Sequence, residues 1–215
     1  MKTFKTLLLG LCIVMCACST QTPRQTNEYG TNWQWENGTI VIETPERPAG
    51  QKSVLGLTVP KMEVVRVGFV GLGMRGPGAV ERFTHIPGTQ VVALCDYEQS
   101  RAERCQKYLK KASMPKAAIY SGEKGYEELC KRDDIDLVYI AADWLHHFPV
   151  AKYALENGKH VAIEVPSAMN LQQCWDLINM SEKYRKHCMI LENCCYDWFE
   201  MNTLCLLYTS PSPRD

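Results

Sequence analysis

The residues with the most chemical content are three glycines and an acid. A β-rich apolar run over 64–70 leads directly into Gly71-Leu-Gly73-Met74-Arg75-Gly76, and a helical pattern follows. In such a G-x-G-x-x-G loop Gly71 suits a tight turn, and Gly73 lets backbone N–H groups approach a pyrophosphate. Gly76 lets the helix pack closely on the strand. The helix N-terminus favours negative charge. Asp96 ends the next apolar run, about 20 residues beyond Gly76, where a carboxylate accepts hydrogen bonds from ribose hydroxyls. An ordinary turn would also use glycines, and a helix N-cap would also use Asp96. Strand, loop, helix, strand and acid together point to dinucleotide binding. A carboxylate at that place repels the 2′-phosphate of NADP, so NAD is the expected cofactor.

Cysteine offers less. Of 11 cysteines, three (Cys12, Cys16 and Cys18) lie near the N-terminus and Cys205 near the C-terminus. The rest are Cys95, Cys105, Cys130, Cys174, Cys188, Cys194 and Cys195, an odd set without paired C-x-x-C spacings. That argues against both a disulfide framework and a zinc site, and no metal is expected. Several sit in apolar runs, where a free thiol behaves as a small hydrophobe. For the adjacent Cys194 and Cys195, burial is favoured over redox chemistry.

The elements that must position the glycines and the acid can be read from periodicity. Strands are expected over 64–70, 90–95, 118–120, 137–141, 160–165 and 188–192. Helices are expected over 77–85, 99–112, 126–132, 149–157 and 171–186. Strands alternating with helices mean βαβ units and a parallel sheet. Six strands with five crossovers make one doubly wound α/β domain of the Rossmann dinucleotide-binding type, spanning 64–204. Residues 19–63 are rich in Thr, Asn, Pro and Gly and read as a linker or arm. They carry one candidate strand over 39–43, preceded by a turn at Asn37-Gly38.

Composition bounds the rest. The chain has 215 residues, with Lys+Arg 24 against Asp+Glu 24, 46% hydrophobic and 22% charged. This is a globular balance, and it gives no electrostatic case for nucleic acid. No apolar run reaches the about 20 residues that a membrane-spanning helix needs. Residues 1–18 read as an export signal, with Lys2 and Lys5 ahead of an apolar stretch over 7–15. Met15-Cys16-Ala17-Cys18 resembles a lipoprotein cleavage site, so a lipid anchor on Cys18 is the expected membrane contact, in the cell envelope; a plain secretory signal cut near Ser19 is the alternative. Residues 205–215 resemble a translated sequencing adapter, so natural sequence is expected to stop near Leu204.

Beyond these patterns the chain resembles the Gfo/Idh/MocA oxidoreductases, and within them the glycoside hydrolase family 109 branch of NAD-dependent α-N-acetylgalactosaminidases. The resemblance runs from about 59 to 204. It rests on Gly-Leu-Gly-Met-Arg-Gly-Pro-Gly-Ala-Val-Glu-Arg (71–82), Ala-Leu-Cys-Asp (93–96) and Arg-Asp-Asp-Ile-Asp-Leu-Val-Tyr-Ile-Ala (132–141). Gly-Lys-His-Val-Ala-Ile-Glu-Val-Pro (158–166) and Met-Ile-Leu-Glu-Asn-Cys-Cys-Tyr (189–196) complete it. It implies NAD contacts at Met74 and Arg75, at Asp96, across Trp144, Leu145, His146 and His147, at Glu164 and Val165, and at Asn193. The alternatives are a core ring for Trp144, a helix N-terminal residue for His147 and a turn former for Asn193. It also implies a C-terminal α+β domain, missing from this chain, that supplies most sugar contacts.

Two departures stand out. Most dehydrogenases of the wider family carry Glu-Lys-Pro at the fifth strand, the lysine moving a proton; here that position is Val165, as in the glycosidase branch. Ala142-Asp143 stands where the branch commonly has Thr-Pro. Tyr196 matches a tyrosine placed beside nicotinamide and substrate, a catalytic candidate; its alternative is an aromatic packed on a helix. The implied activity is hydrolysis of terminal α-linked N-acetylgalactosamine through transient oxidation at C3, elimination, water addition and re-reduction. An NAD-dependent sugar dehydrogenase and an inactive NAD-binding fragment are the rival readings, and self-association into a homo-oligomer stays open.

Overall fold

The computed structural model describes residues 25–26, 32–42, 45–195 and 197–209. The expected export signal with Cys18 lies outside the described residues, as does Tyr196. The chain divides into two units, 1–43 and 44–215.

The first unit holds an antiparallel sheet of β1 (Gln25–Thr26), β2 (Asn32–Glu36) and β3 (Thr39–Ile42), where an arm with one strand was expected. Asn37 and Gly38 both take positive φ, 50° and 79°, so Glu36 pairs with Thr39 and Trp33 with Ile42. Two residues of positive φ are what a tight hairpin needs to match strand twist. The β-prone Trp33 and Trp35 before them then become the second strand.

The second unit is built from β4 (Val65–Val70), β5 (Thr89–Asp96), β6 (Ala118–Ser121), β7 (Leu137–Ile140), β8 (His160–Glu164) and β9 (Cys188–Leu191). Between and after them lie α1 (Gly76–Phe83), α2 (Gln99–Lys111), α3 (Gly125–Cys130), α4 (Trp144–Glu156), α5 (Leu171–Tyr184) and α6 (Trp198–Thr209). The six strands are all parallel, in the order β6-β5-β4-β7-β8-β9. The chain winds outward from β4 to β6, then returns to β7 beside β4 and winds the other way. This is the expected doubly wound sheet, and the reversal leaves a crevice at the carboxyl ends of β4 and β7.

The strands are apolar on both sides because helices cover both sides. On one face Leu129, Val150, Ala154, Leu155 and Leu177 pack on Val138, Ile140 and Ile163. On the other, Val80, Ala102, Cys105 and Leu109 pack on Val67, Phe69, Val91 and Leu94. Phe69, Phe83 and Tyr139 form an aromatic triangle there, with ring centroids 5.0–5.6 Å apart.

Two helices depart from the sequence expectation. α4 begins at Trp144, not at 149, because the Asp143 side chain accepts a hydrogen bond from the Leu145 N–H and caps the turn. Pro149 therefore lies inside the helix. α6 is not among the helices expected from periodicity, and it carries the 205–209 stretch, which reads as adapter-like sequence. No glycine or proline interrupts Trp198–Thr209, so helical propensity is unopposed there. Its described side chains are exposed.

The thiols follow their burial. Cys95, Cys105 and Cys130 lie in the core, and burial pushes Cys95 and Cys130 up to about 12, so they are inert small hydrophobes. Cys194 and Cys195 are exposed, contrary to expectation. They follow the end of β9 in a turn where Cys194 has φ 65°, which directs the chain out of the sheet.

Arg66 at the start of β4 grips Asp136 before β7 in a bidentate pair, Nε to Oδ2 at 2.9 Å and Nη2 to Oδ1 at 2.7 Å. The Arg66 side-chain bond outweighs burial and holds the Asp136 carboxyl below its ordinary value; Arg132 does the same for Asp134. A lowered folded-state value contributes stability above the ordinary carboxylate value of about 4, and that contribution is lost as pH falls through the lowered one. Thermal midpoints measured from pH 5 down to 2 should therefore fall less steeply for Asp136→Asn than for the unaltered chain. Parallel curves would contradict this.

Candidate functional site

The loop after β4 is shaped by close approach. Gly71 has φ +91°, and a Cβ there would lie 2.3 Å from the Ala142 N and 2.4 Å from the Ala141 O. A Cβ on Gly76, the first residue of α1, would lie 2.1 Å from the Gly71 O. Both positions are closed by the chain itself. Gly73 is different: among the described residues, a Cβ would meet within 4 Å only the Arg101 Nη1, at 3.8 Å. The middle glycine is thus the one with room in front of it.

That room belongs to a cavity of about 560 Å³ at the carboxyl ends of the strands. Of the residues singled out from the sequence, Gly71, Gly73, Met74, Arg75, Asp96, Trp144, His146, His147, Glu164, Val165 and Asn193 line it. Gly76 is buried behind the loop and Leu145 is exposed beside the cavity, and neither lines it. Tyr196 lies outside the described residues, next to Cys195.

Asp96 ends β5 and is buried. Its Oδ2 accepts from the Leu72 N–H at 2.6 Å and its Oδ1 from the Glu98 N–H at 3.0 Å. The acid therefore fastens the glycine loop to the neighbouring strand. Trp144, 60% exposed, is no core ring. His146 Nδ1 lies 2.6 Å from the Asp143 Oδ2. Burial alone would raise the Asp143 carboxyl, but His146 and two backbone N–H groups outweigh it and hold it below the usual range. His147 is buried, with its ring nitrogens 2.7 Å from the Pro166 O and 2.9 Å from the Ala142 O. It ties the ends of β7 and β8 together from the first turns of α4. Tyr139 on β7 donates to the Glu164 Oε1 at 2.6 Å, and burial together with that bond raises its phenol well above the ordinary value. Asn193 sits in the bend after β9, so its turn-forming role and its place at the cavity coincide.

Sequence reasoning missed charged residues of this cavity, Asp143, Arg101 and Glu123 among them. Asp143 carried a signal, an acid directly before an apolar helical pattern, which marks an N-cap. Arg101 carried none, since only the fold brings its side chain back over the loop.

The arrangement fits a dinucleotide. The volume is in the range of cofactor pockets. The open side of Gly73 leaves a cradle that a Cβ would narrow, and α1 begins one residue past Arg75, so its positive dipole end lies at the cavity edge. A buried carboxylate stands at the end of β5, and Val70 and Val150 supply apolar wall.

Comparison with known proteins agrees with this geometry. Residues 65–192 match the GFO_IDH_MocA family, described as an oxidoreductase family with an NAD-binding Rossmann fold. The chain is 81% identical over 207 residues to glycosyl hydrolase family 109 protein 5 of Phocaeicola vulgatus, covering 95% of this chain and 40% of that protein. It is 56% identical over 204 residues to glycosyl hydrolase family 109 protein 1 of Bacteroides thetaiotaomicron, covering 94% and 42%. The chain thus spans about two fifths of the length of these curated relatives. Among solved structures it superposes on myo-inositol dehydrogenase from Lactobacillus casei, in complex with NAD(H) and myo-inositol. The TM-score is 0.56 at 24% identity, over 65% of this chain and 42% of that one. The 3-ketoreductase KijD10 from Actinomadura kijaniata gives 0.57 at 23% identity, over 67% and 42%.

Proposed function

Because the chain belongs to the Gfo/Idh/MocA oxidoreductase family, with its NAD-binding Rossmann fold, we propose that it is the cofactor-holding part of an NAD-dependent glycosidase acting on terminal α-linked N-acetylgalactosamine. The observation that carries the reading is the 81% identity to a glycosyl hydrolase family 109 protein across nearly the whole chain. Val165 supports it: the residue at the end of β8 is an aliphatic that cannot move a proton as a lysine would.

In this reading the loop from Gly71 to Gly76 receives the pyrophosphate, with Met74 and Arg75 at its rim, and Asp96 faces the adenosine ribose. Trp144 to His147 wall one side, while Glu164, Val165 and Asn193 lie towards the nicotinamide end. Tyr139 holds the Glu164 carboxylate in one orientation through its short O–H donation. Tyr196 is the proposed proton-handling group. The chemistry the dinucleotide supplies when bound is reversible hydride acceptance: sugar C3 is oxidised, the C2 proton acidified, the leaving group eliminated, water added and C3 reduced again. No pair of carboxylates at glycosidase spacing is then required. The protein's part is to hold cofactor and sugar in register. An exported, envelope-located protein anchored through Cys18 remains part of the proposal.

The test compares this chain with a version spanning the relatives' full length, each given NAD⁺ and an aryl α-N-acetylgalactosaminide. The long version should release aglycone without net accumulation of reduced dinucleotide, and the short one should bind NAD⁺ without turnover. Net NADH from a free sugar would identify a sugar dehydrogenase and overturn the glycosidase reading.

A further inference from the structure

We infer that Arg101 sets how strongly this chain separates NAD from NADP. The inference rests on the dinucleotide-binding reading above and concerns the ribose end of the same cavity.

The carboxylate expected to repel a 2′-phosphate does not stand alone. Asp96 is only 6% exposed, and each of its oxygens already accepts a backbone N–H, from Leu72 and from Glu98. Arg101, in the first turn of α2, reaches back so that its Nη1 lies 3.6 Å from the Asp96 Oδ1. The same Nη1 is 3.8 Å from where a Gly73 Cβ would be. The guanidinium therefore sits between the acid and the open glycine, lining the cavity with its side chain 38% exposed. Its Nη2 donates to the Glu98 Oε1 at 3.0 Å.

Three charges meet here: Asp96 and Glu98 negative, Arg101 positive. Their sum is negative, which favours NAD over a dinucleotide carrying one more phosphate. Arg101 weakens that preference, because it offsets the buried acid and presents a fork of donors matched to phosphate oxygens. Glu98 opposes Arg101 by holding its outer nitrogen on the helix surface. Removing Arg101 should therefore sharpen the discrimination, and removing the Glu98 charge should blunt it. A purely structural role for Arg101 predicts that both dinucleotides suffer together.

The experiment measures dissociation constants for NAD⁺ and NADP⁺ by calorimetry on the unaltered chain, on Arg101→Gln and on Glu98→Gln. The ratio of the two constants cancels general damage to the site. The ratio of the NADP⁺ constant to the NAD⁺ constant should rise about tenfold in Arg101→Gln, the size of one charge-assisted contact. It should fall in Glu98→Gln, and both changes should shrink in about 1 M salt, where exposed charges are screened. A ratio unmoved in Arg101→Gln, or raised in Glu98→Gln, would overturn the inference while leaving NAD binding intact. Failure of the unaltered chain to bind either dinucleotide would overturn both the inference and the reading beneath it.

Discussion

A single added methyl at Gly71 is expected to destabilise the chain by about 3–5 kcal/mol, much of a small domain's margin. Two costs add. The backbone at φ +91° is one that L side chains rarely adopt, which costs about 1–3 kcal/mol. The new Cβ would also fall 2.3 Å from the Ala142 N and 2.4 Å from the Ala141 O, backbone atoms that cannot swing aside. To relieve the clash the loop must part from the end of β7, which opens the crevice that forms the cavity. Gly71→Ala should thus lower the urea midpoint sharply and abolish NAD⁺ binding. Gly73→Ala provides the contrast, since only a flexible arginine end lies near its Cβ. Its stability should stay close to that of the unaltered chain while NAD⁺ affinity falls. If Gly71→Ala unfolds at the same urea concentration as the unaltered chain, the closeness of the β4 loop to β7 is wrong.

The second large effect is expected at Asp96, whose side chain both faces the cavity and fastens the loop. Asp96→Ala leaves the Leu72 N–H without its 2.6 Å acceptor, and an unsatisfied buried donor costs about 1–3 kcal/mol. It should also weaken NAD⁺ binding by about tenfold or more, as the loop loosens and the ribose loses its partner. Asp96→Asn separates the two roles. Its amide oxygen can still accept from Leu72 while its NH2 faces the Glu98 N–H, so stability should be only partly restored while affinity stays low. Equal NAD⁺ affinity in Asp96→Ala and the unaltered chain would show that the acid is a loop fastener and nothing more.

Local features of this chain are legible without its structure because they depend on neighbours in sequence. The β4 run, the glycine spacing, the helix after it and the acid closing β5 all follow from period, turn chemistry and capping. The six strands of the parallel sheet stand within a residue or so of where periodicity puts them. Where periodicity misled, a local competitor won: the Asp143 cap moved the start of α4 ahead of Pro149, and Asn37-Gly38 turned an arm into a hairpin. The contacts implied at Trp144, Glu164 and Asn193 came from family resemblance, since nothing in their spacing ties them to Gly71.

Tertiary structure decided the neighbours. Apolar periodicity says which side of a strand is covered but not which strand lies beside it. The order β6-β5-β4-β7-β8-β9 is set by helices packing on both faces, and it places β4 against β7, far away in sequence. That adjacency closes Gly71 on Ala141 and Ala142 and brings the ends of β7 and β8 to the glycine loop. Pairing of β7 with β8 likewise puts Tyr139 within reach of Glu164 on the neighbouring strand. Arg101 is the clearest case: as a sequence position it is one more charge on a solvated helix. Only the return of α2 over the end of β5 sets its guanidinium beside Asp96 and in front of Gly73. Side-chain reach across packed elements, not local propensity, makes that contact.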